Sequence, residues 1–357
     1  MDNKKIKIVF YSHTVDFAGT WRSHERILEN LNKDIFEPYV MYNMNADNNR
    51  LDHVINILGK DFVLPFETSG GKLGPEYGYP FVNTNFNEVL NNISPDIIHF
   101  ARSGYFEWPF NQRLCPIQIE TNIFAGKDES TFLDYSITIC DTIKNYRGKS
   151  DCTIYNPIPY PKESKENLKN SLGIEDDTFV LGRIGRADNF TSISLDACKI
   201  LKEKKLNFKY IIISPCNLTK NFVEQNNLTN EVIFVDPTND DDFIHKFHNT
   251  LDIFAHYRVD GECHSTAIAQ AMSYGLPVVS HHAGWNGQVE TIQEGGFVCH
   301  NSETYAEKIL ELLQNKYLYN YVSNKSFERF KSFSYEETIP KFEKVYLDLY
   351  NKKLIKK

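Results

Sequence analysis

The sequence predicts an α/β chain built as two doubly wound, Rossmann-like domains in tandem, and three observations carry that expectation. Its 357 residues exceed what one hydrophobic core usually organises. Strand-length apolar runs alternate with helix-length segments, the pattern of parallel strands joined by crossover helices. The alternation breaks at "YNPIPYPKESKE" (155–166), where three prolines precede a charged run, and then resumes.

In the first half, strands are expected at 6–12 (IKIVFYS), 38–43, 61–66, 96–101, 116–121 and 135–140. The segment "RSHERILENLN" after the first strand places Ile27, Leu28 and Leu31 at helical spacing, with charges on the other side. In the second half, strands are expected at 178–185, 208–214, 231–236, 251–257, 277–282 and 295–300. A final helix carries Phe342, Val345, Tyr346 and Leu349, with a break expected near Pro340. The expected domains are therefore 1–158 and 159–334, with a helix at about 335–357 able to pack back on the first. Two such domains facing each other bind ligands in a cleft, at the carboxyl ends of their strands.

Composition narrows the function classes. The net charge of -8 argues against nonspecific nucleic-acid binding. Lysines 4, 5 and 7 and lysines 352, 353, 356 and 357 make both ends basic, which reads as solvated tails, with contact to a membrane surface or an acceptor as the alternative. Seven cysteines, an odd number without a CxxC pair, indicate neither a disulfide framework nor a zinc site. With no leader-like segment before the first strand and no apolar run near ~18 residues, a cytoplasmic protein is expected, peripheral on a membrane if attached at all.

Four stretches carry candidate chemistry. Gly19 and Thr20 lie where the first strand turns into a helix, so a ligand can approach backbone and free amides, although no GxGxxG is present. "GRIGRADNF" (182–190) follows the first strand of the second domain. Its two arginines, three residues apart, fall on opposite faces, and Arg186, nearer the cleft, is the expected phosphate ligand, with Arg183 structural. In "GECHSTAIAQAMSYGLPVV" (261–279), Ser265 is the expected N-cap of a helix that ends at Gly275. Glu262 stands in the loop before it and Gln270 on it, and the amides near His264, Ser265 and Thr266 suit a diphosphate. His256, His264, His281 and His282 lack metal-ligand spacing and are expected to be satisfied or exposed. His99, in a first-domain strand, is a weaker cleft-facing candidate.

With "GRIGRAD", "GECHSTAIAQAMSYGLPVVS" and "NGQVETIQEGGFV" in view, the chain resembles the retaining GT-B glycosyltransferases of family 4, glycosyl transferases group 1. The likeness is most specific over 180–300, and "AGT", "PDIIH" and "IYNPI" extend it through the first half. It implies a GT-B fold, an acceptor-side first domain and a second domain that binds a nucleotide-diphosphate sugar, UDP- or GDP-linked. It also implies transfer to a glycan, lipid or other hydroxyl acceptor with retention, without a metal or other cofactor.

In the family's Glu-x7-Glu signature Glu262 matches the first acid, used at the donor sugar. Gln270 replaces the second, whose usual partners are ribose hydroxyls. Arg186 matches the phosphate-clamp arginine, but its following lysine is missing near Phe190 and Thr191. "AGTWR" stands where the family has Gly-Gly, and Gln288 and Glu290 are expected to order the loop beneath the donor. Ala101 and Asn122 occupy the places of first-domain histidines, so no catalytic histidine is carried over. The departures leave two alternatives, a catalytically weak protein that binds nucleotide or glycan and a GT-B nucleotide-sugar epimerase.

Overall fold

The structure is a computed structural model describing residues 4–17, 19–68, 85–102, 112–123, 132–144, 150–186 and 188–355. Ala18 in the first loop and the last two lysines lie outside these residues. The chain divides into two compact units, Met1–Pro157 with Tyr335–Lys357, and Ile158–Ser334.

The first unit contains β1 (Ile6–Ser12), α1 (Gly19–Asn30), β2 (Phe36–Asn43), α2 (Leu51–Leu58), β3 (Val63–Phe66), α3 (Phe86–Ile93), β4 (Ile97–Arg102), β5 (Ile117–Asn122), β6 (Tyr135–Thr138) and the short β7 (Cys152–Thr153). Its strands pair in the order β3-β2-β1-β4-β5-β6-β7, every pairing parallel. Central strands are buried on both faces and therefore read as continuous apolar runs: Ile8, Val9 and Phe10 are all inaccessible.

The second unit repeats the plan with β8 (Phe179–Ile184), α4 (Ile193–Glu203), β9 (Phe208–Ile213), α5 (Asn217–Gln225), β10 (Val232–Val235), α6 (Asp241–Thr250) and β11 (Ile253–Ala255). There follow β12 (Gly261–Glu262), α7 (Thr266–Ser273), β13 (Val278–His281), β14 (Trp285–Asn286), α8 (Gly287–Ile292), β15 (Gly296–Cys299), α9 (Ser302–Gln314) and α10 (Lys316–Phe330). The main sheet runs β10-β9-β8-β11-β13-β15, again parallel, and β12 pairs with β14 in a separate two-stranded ladder. Each sheet reverses its winding beside its first strand, which in the second unit lies between β8 and β11.

The last helix, α11 (Tyr335–Ile355), belongs to the first unit. Its Ile339, Phe342 and Tyr346 sit in the core formed with β1, β2 and α1. The expected break at Pro340 does not occur: the helix continues through it. The proline removes only the bond to the Glu336 carbonyl, one turn earlier at the exposed start of the helix, where water can serve that oxygen.

The charged side of α1 also departs from expectation. Glu25 is buried beneath Arg50, whose Nε lies 2.6 Å away, with Arg22 at 3.2 Å and the Trp21 indole N–H donating at 3.1 Å. Buried Arg26 donates to the Pro157 carbonyl at 3.0 Å. Tertiary partners supplied by α2 and by the end of the unit keep these charges out of water, and a helical-period argument cannot see them.

Candidate functional site

Strands β8, β11 and β13 are parallel neighbours, so their carboxyl ends open on one edge of the second sheet, at the point where ligands bind in doubly wound folds. Arg183 and Arg186 come from the end of β8. The two arginines differ sharply, because Arg186 is exposed and forms a two-point ion pair with Asp188, whereas Arg183 is 2% exposed. The Arg183 guanidinium lies over the Tyr257 ring at 4.2 Å and donates to the Arg186 carbonyl at 3.3 Å. Its Nε and Nη1 make no hydrogen bond among the described residues.

At the end of β11 the backbone is tightly held. The Tyr210 hydroxyl donates to the Ala255 carbonyl at 2.7 Å, and the Tyr305 hydroxyl lies 3.0 and 2.8 Å from the carbonyls of His256 and Val279. This fixes His256, whose Nε2 is 3.1 Å from one Glu262 oxygen while Arg258 Nη1 is 3.0 Å from the other. Burial by itself raises the Glu262 pKa, but the hydrogen bond and charge of His256, then Arg258 and Ser265, outweigh it and hold the acid below its ordinary value. Glu262 is thus an ionised, two-sided acceptor with 12% of its side chain exposed.

The loop bearing Glu262 is set by the β12–β14 pair. Gly261 has φ +76°, and a Cβ there would lie 1.8 Å from the Trp285 carbonyl oxygen, so only glycine fits. Gly287 faces the same constraint from the Cys263 carbonyl at 1.7 Å. Gln288, buried, accepts from the Glu262 amide at 3.1 Å and donates to the His281 carbonyl at 2.8 Å, tying the two segments together. Glu290, half-buried, lies on α8, and its carbonyl accepts from Arg329 at 2.8 Å.

Helix α7 begins at Thr266 with Ser265 as N-cap, its hydroxyl oxygen accepting from the Ile268 amide at 3.3 Å. No acid occupies its first turn, so its N-terminal amides keep their positive end. The helix closes before Gly275, at φ +69°. Thr266 and Gln270 are half-buried, whereas His264 is buried against Phe333, with ring centroids 5.2 Å apart. Burial pushes the His264 pKa down to about 4, so near neutral pH its imidazole is uncharged.

In the first unit, α1 starts at Gly19, which is exposed, and a Cβ added there would meet nothing within 4 Å. Thr20 is half-buried beside it. His99 is corrected: it does not face a cleft but is fully buried, with Nδ1 2.7 Å from the Tyr346 hydroxyl and Nε2 2.8 Å from Thr121 Oγ1. Burial first, and the neighbouring His24 second, hold its pKa well below the usual histidine value. Both ring nitrogens are engaged in the interior, which leaves none to serve a substrate.

His256 and Arg258 were missed as partners of Glu262, although "HYRVDGE" places both within six residues of it. Among the described residues, the one group with ligand atoms close enough for a metal is Glu25, Glu29 and His53, where Arg22 and Arg50 already face Glu25. All seven cysteines are free thiols, and no helix among the described residues is long and apolar enough to cross a membrane.

Residues 175–315 match the family described as Glycosyl transferases group 1. The UDP-N-acetylglucosamine--N-acetylmuramyl-(pentapeptide) pyrophosphoryl-undecaprenol N-acetylglucosamine transferase of Thermoanaerobacter sp. (strain X514) is 24% identical over 253 residues, 65% of this chain and 68% of the relative. A glycosyltransferase from Rickettsia africae ESF-5 superposes with a TM-score of 0.76 at 16% identity, over 97% of this chain and 98% of that one. Anabaena Alr3699/HepE in complex with UDP-glucose gives 0.71 at 15% identity, over 96% and 100%. The fold is GT-B, and the family match over the second unit supports a glycosyltransferase.

Proposed function

We propose that this chain is a retaining glycosyltransferase, moving a sugar from a nucleotide-diphosphate donor to a hydroxyl of a glycan or lipid-linked acceptor. One observation carries the reading. An ionised, fixed acid, Glu262, precedes α7, whose first turn carries no acid, on the sheet edge that also bears Arg183 and Arg186, all within the segment matching the family. Glu262 would orient the donor sugar, and Gln270 would accept from a ribose hydroxyl through its carbonyl. The α7 amides and the two arginines would stabilise the charge that develops on the leaving diphosphate. In this reading Arg183 supplies the second cation that the missing lysine would otherwise give. The first unit would offer the acceptor's binding surface, and the acceptor hydroxyl would attack from the face on which the diphosphate leaves.

The test is a panel of UDP-, GDP- and TDP-sugars, measuring nucleotide binding by calorimetry and nucleotide release with varied acceptors. Binding of at least one donor, loss of that binding in Arg183→Met and its weakening in Arg186→Ala, and a rate unaffected by EDTA are expected. Proton NMR of the product's anomeric centre reads retention. If no nucleotide binds at millimolar levels and neither arginine variant differs, transfer is excluded. Binding without turnover favours a donor-binding protein, the reading to which the neutral Gln270 points.

A further inference from the structure

We propose that His256 is a positioning residue for Glu262: its Nε2–H, held from behind by Ser280, fixes the carboxylate's orientation and keeps it ionised where the donor sugar binds. The proposal rests on the reading of this edge as a donor site.

The geometry forms a chain of three groups. Ser280 Oγ is 2.9 Å from His256 Nδ1, and His256 Nε2 is 3.1 Å from Glu262 Oε1. An ionised carboxylate can only accept, so Nε2 must carry the proton. Nε2–H faces the carboxylate in either ring state: Nδ1 accepts from the Ser280 hydroxyl when the ring is neutral and donates to it when the ring is protonated. The ring cannot drift, because its side chain is 5% exposed, it stacks with Phe254 at 6.3 Å and 25°, and its own amide donates to the Val279 carbonyl at 2.8 Å.

The groups facing His256 are Glu262 and Arg258 on its own loop, Ser280 and His281 from β13, and Tyr305 from α9. Of these only Glu262 carries negative charge near neutral pH, so the imidazole proton has one destination. A buried ion pair adds little net stability over apolar packing. What this one supplies is direction, since Glu262 sits on a loop whose other anchors are the Gln288 amide carbonyl, Arg258 and Ser265.

Three variants separate positioning from simple support. His256→Leu removes the donor, His256→Gln puts an amide N–H near the Nε2 position, and His256→Asn reaches only toward Ser280. With a turned-over donor, His256→Leu and His256→Asn should lower kcat on the order of 100-fold, with KM for the donor changed far less. The acid limb of kcat/KM should move up, because burial of Glu262 is then opposed by Arg258 and Ser265 alone. His256→Gln should recover most of both effects, and circular dichroism checks that each variant folds.

Wild-type kcat and an unmoved acid limb in His256→Leu or His256→Asn would overturn the proposal, as would equal loss in all three variants with the limb unmoved. If the wild-type protein binds and turns over no nucleotide sugar, the transferase reading fails separately. The inference is then read from 13C NMR titration of the Glu262 carboxyl. A rise in its pKa in His256→Asn that His256→Gln reverses supports the hold, and an unchanged titration refutes it.

Discussion

Replacing His24 with phenylalanine should change how stability depends on pH more than it changes stability at pH 7. His24 is inaccessible to solvent, and neither ring nitrogen makes a hydrogen bond among the described residues. Its ring meets Phe10 edge-on at 5.3 Å and His99 at 4.7 Å. Burial lowers its pKa to about 3, from 6.5 in the unfolded chain. Between those values the unfolded chain binds a proton that the folded chain cannot, so stability is fully present above pH 6.5 and is lost as pH falls toward 3. The slope is about 1.4 kcal/mol per pH unit, which from pH 7 to pH 5 amounts to roughly 2 kcal/mol from this one group. His24→Phe abolishes that term while leaving the other depressed histidines in place. Native-state hydrogen exchange of the β1 amides, corrected for intrinsic rates, reads the opening free energy of this unit without assuming two-state unfolding of the whole chain. The variant should lose roughly 2 kcal/mol less than the wild type between the two pH values. Equal losses would mean that His24 keeps its proton in the fold, and the burial argument would be wrong.

Gly261→Ala should break the β12–β14 pair, because the new Cβ would overlap the Trp285 carbonyl oxygen at a left-handed φ. Strain of about 1–3 kcal/mol is expected, with donor affinity at least about tenfold weaker by calorimetry and an intact circular dichroism spectrum. Gln270→Glu should tighten donor binding about tenfold, the difference between a neutral and a charge-assisted bond to a ribose hydroxyl; unchanged affinity would remove Gln270 from the ribose site. Tyr346→Phe leaves His99 Nδ1 without its 2.7 Å partner in the interior. A loss of about 1–3 kcal/mol in urea unfolding is expected, together with faster proteolysis of α11.

The parallel strands were legible because burial on both faces makes each a short apolar run, and α7 was legible because Ser265 and Gly275 carry the chemistry of helix ends. Asp240 caps α6 in the same way, accepting from the amides of Asp242 and Phe243. What escaped depends on residues far apart in sequence. His99 reads as a strand-end candidate until Tyr346, 247 positions later, is seen to occupy it. Glu25 reads as a solvated helix charge until Arg50 covers it. The β12–β14 ladder has two residues in each strand, below any periodic signal, and only the forced glycine backbones give it away. The partners of Glu262 lay in plain view, but the turn at Gly261 that folds the acid back on His256 and Arg258 is a backbone fact, and spacing alone does not encode it.

The two arginines show how the structure reorders a candidate site. Arg186 was preferred because it stands later in the chain, yet its guanidinium already pairs with Asp188, and an anion arriving there must displace that carboxylate. The exchange costs little, since exposed ion pairs contribute about 0–1 kcal/mol, but it also gains little. Arg183 makes no ion pair among the described residues and keeps two donor atoms unbonded while 2% exposed. A buried cation without an anionic partner is costly, and the Tyr257 face and one carbonyl offset only part of that cost. It lies under a loop at the end of β8, beside β11, so its field acts on the same sheet edge as the positive end of α7. With Glu262 paired to Arg258 and Arg186 to Asp188, Arg183 is the cation at that edge left without an ion pair among the described residues. A diphosphate is the ligand that would pair with it, which is why Arg183→Met should cost more nucleotide affinity than Arg186→Ala.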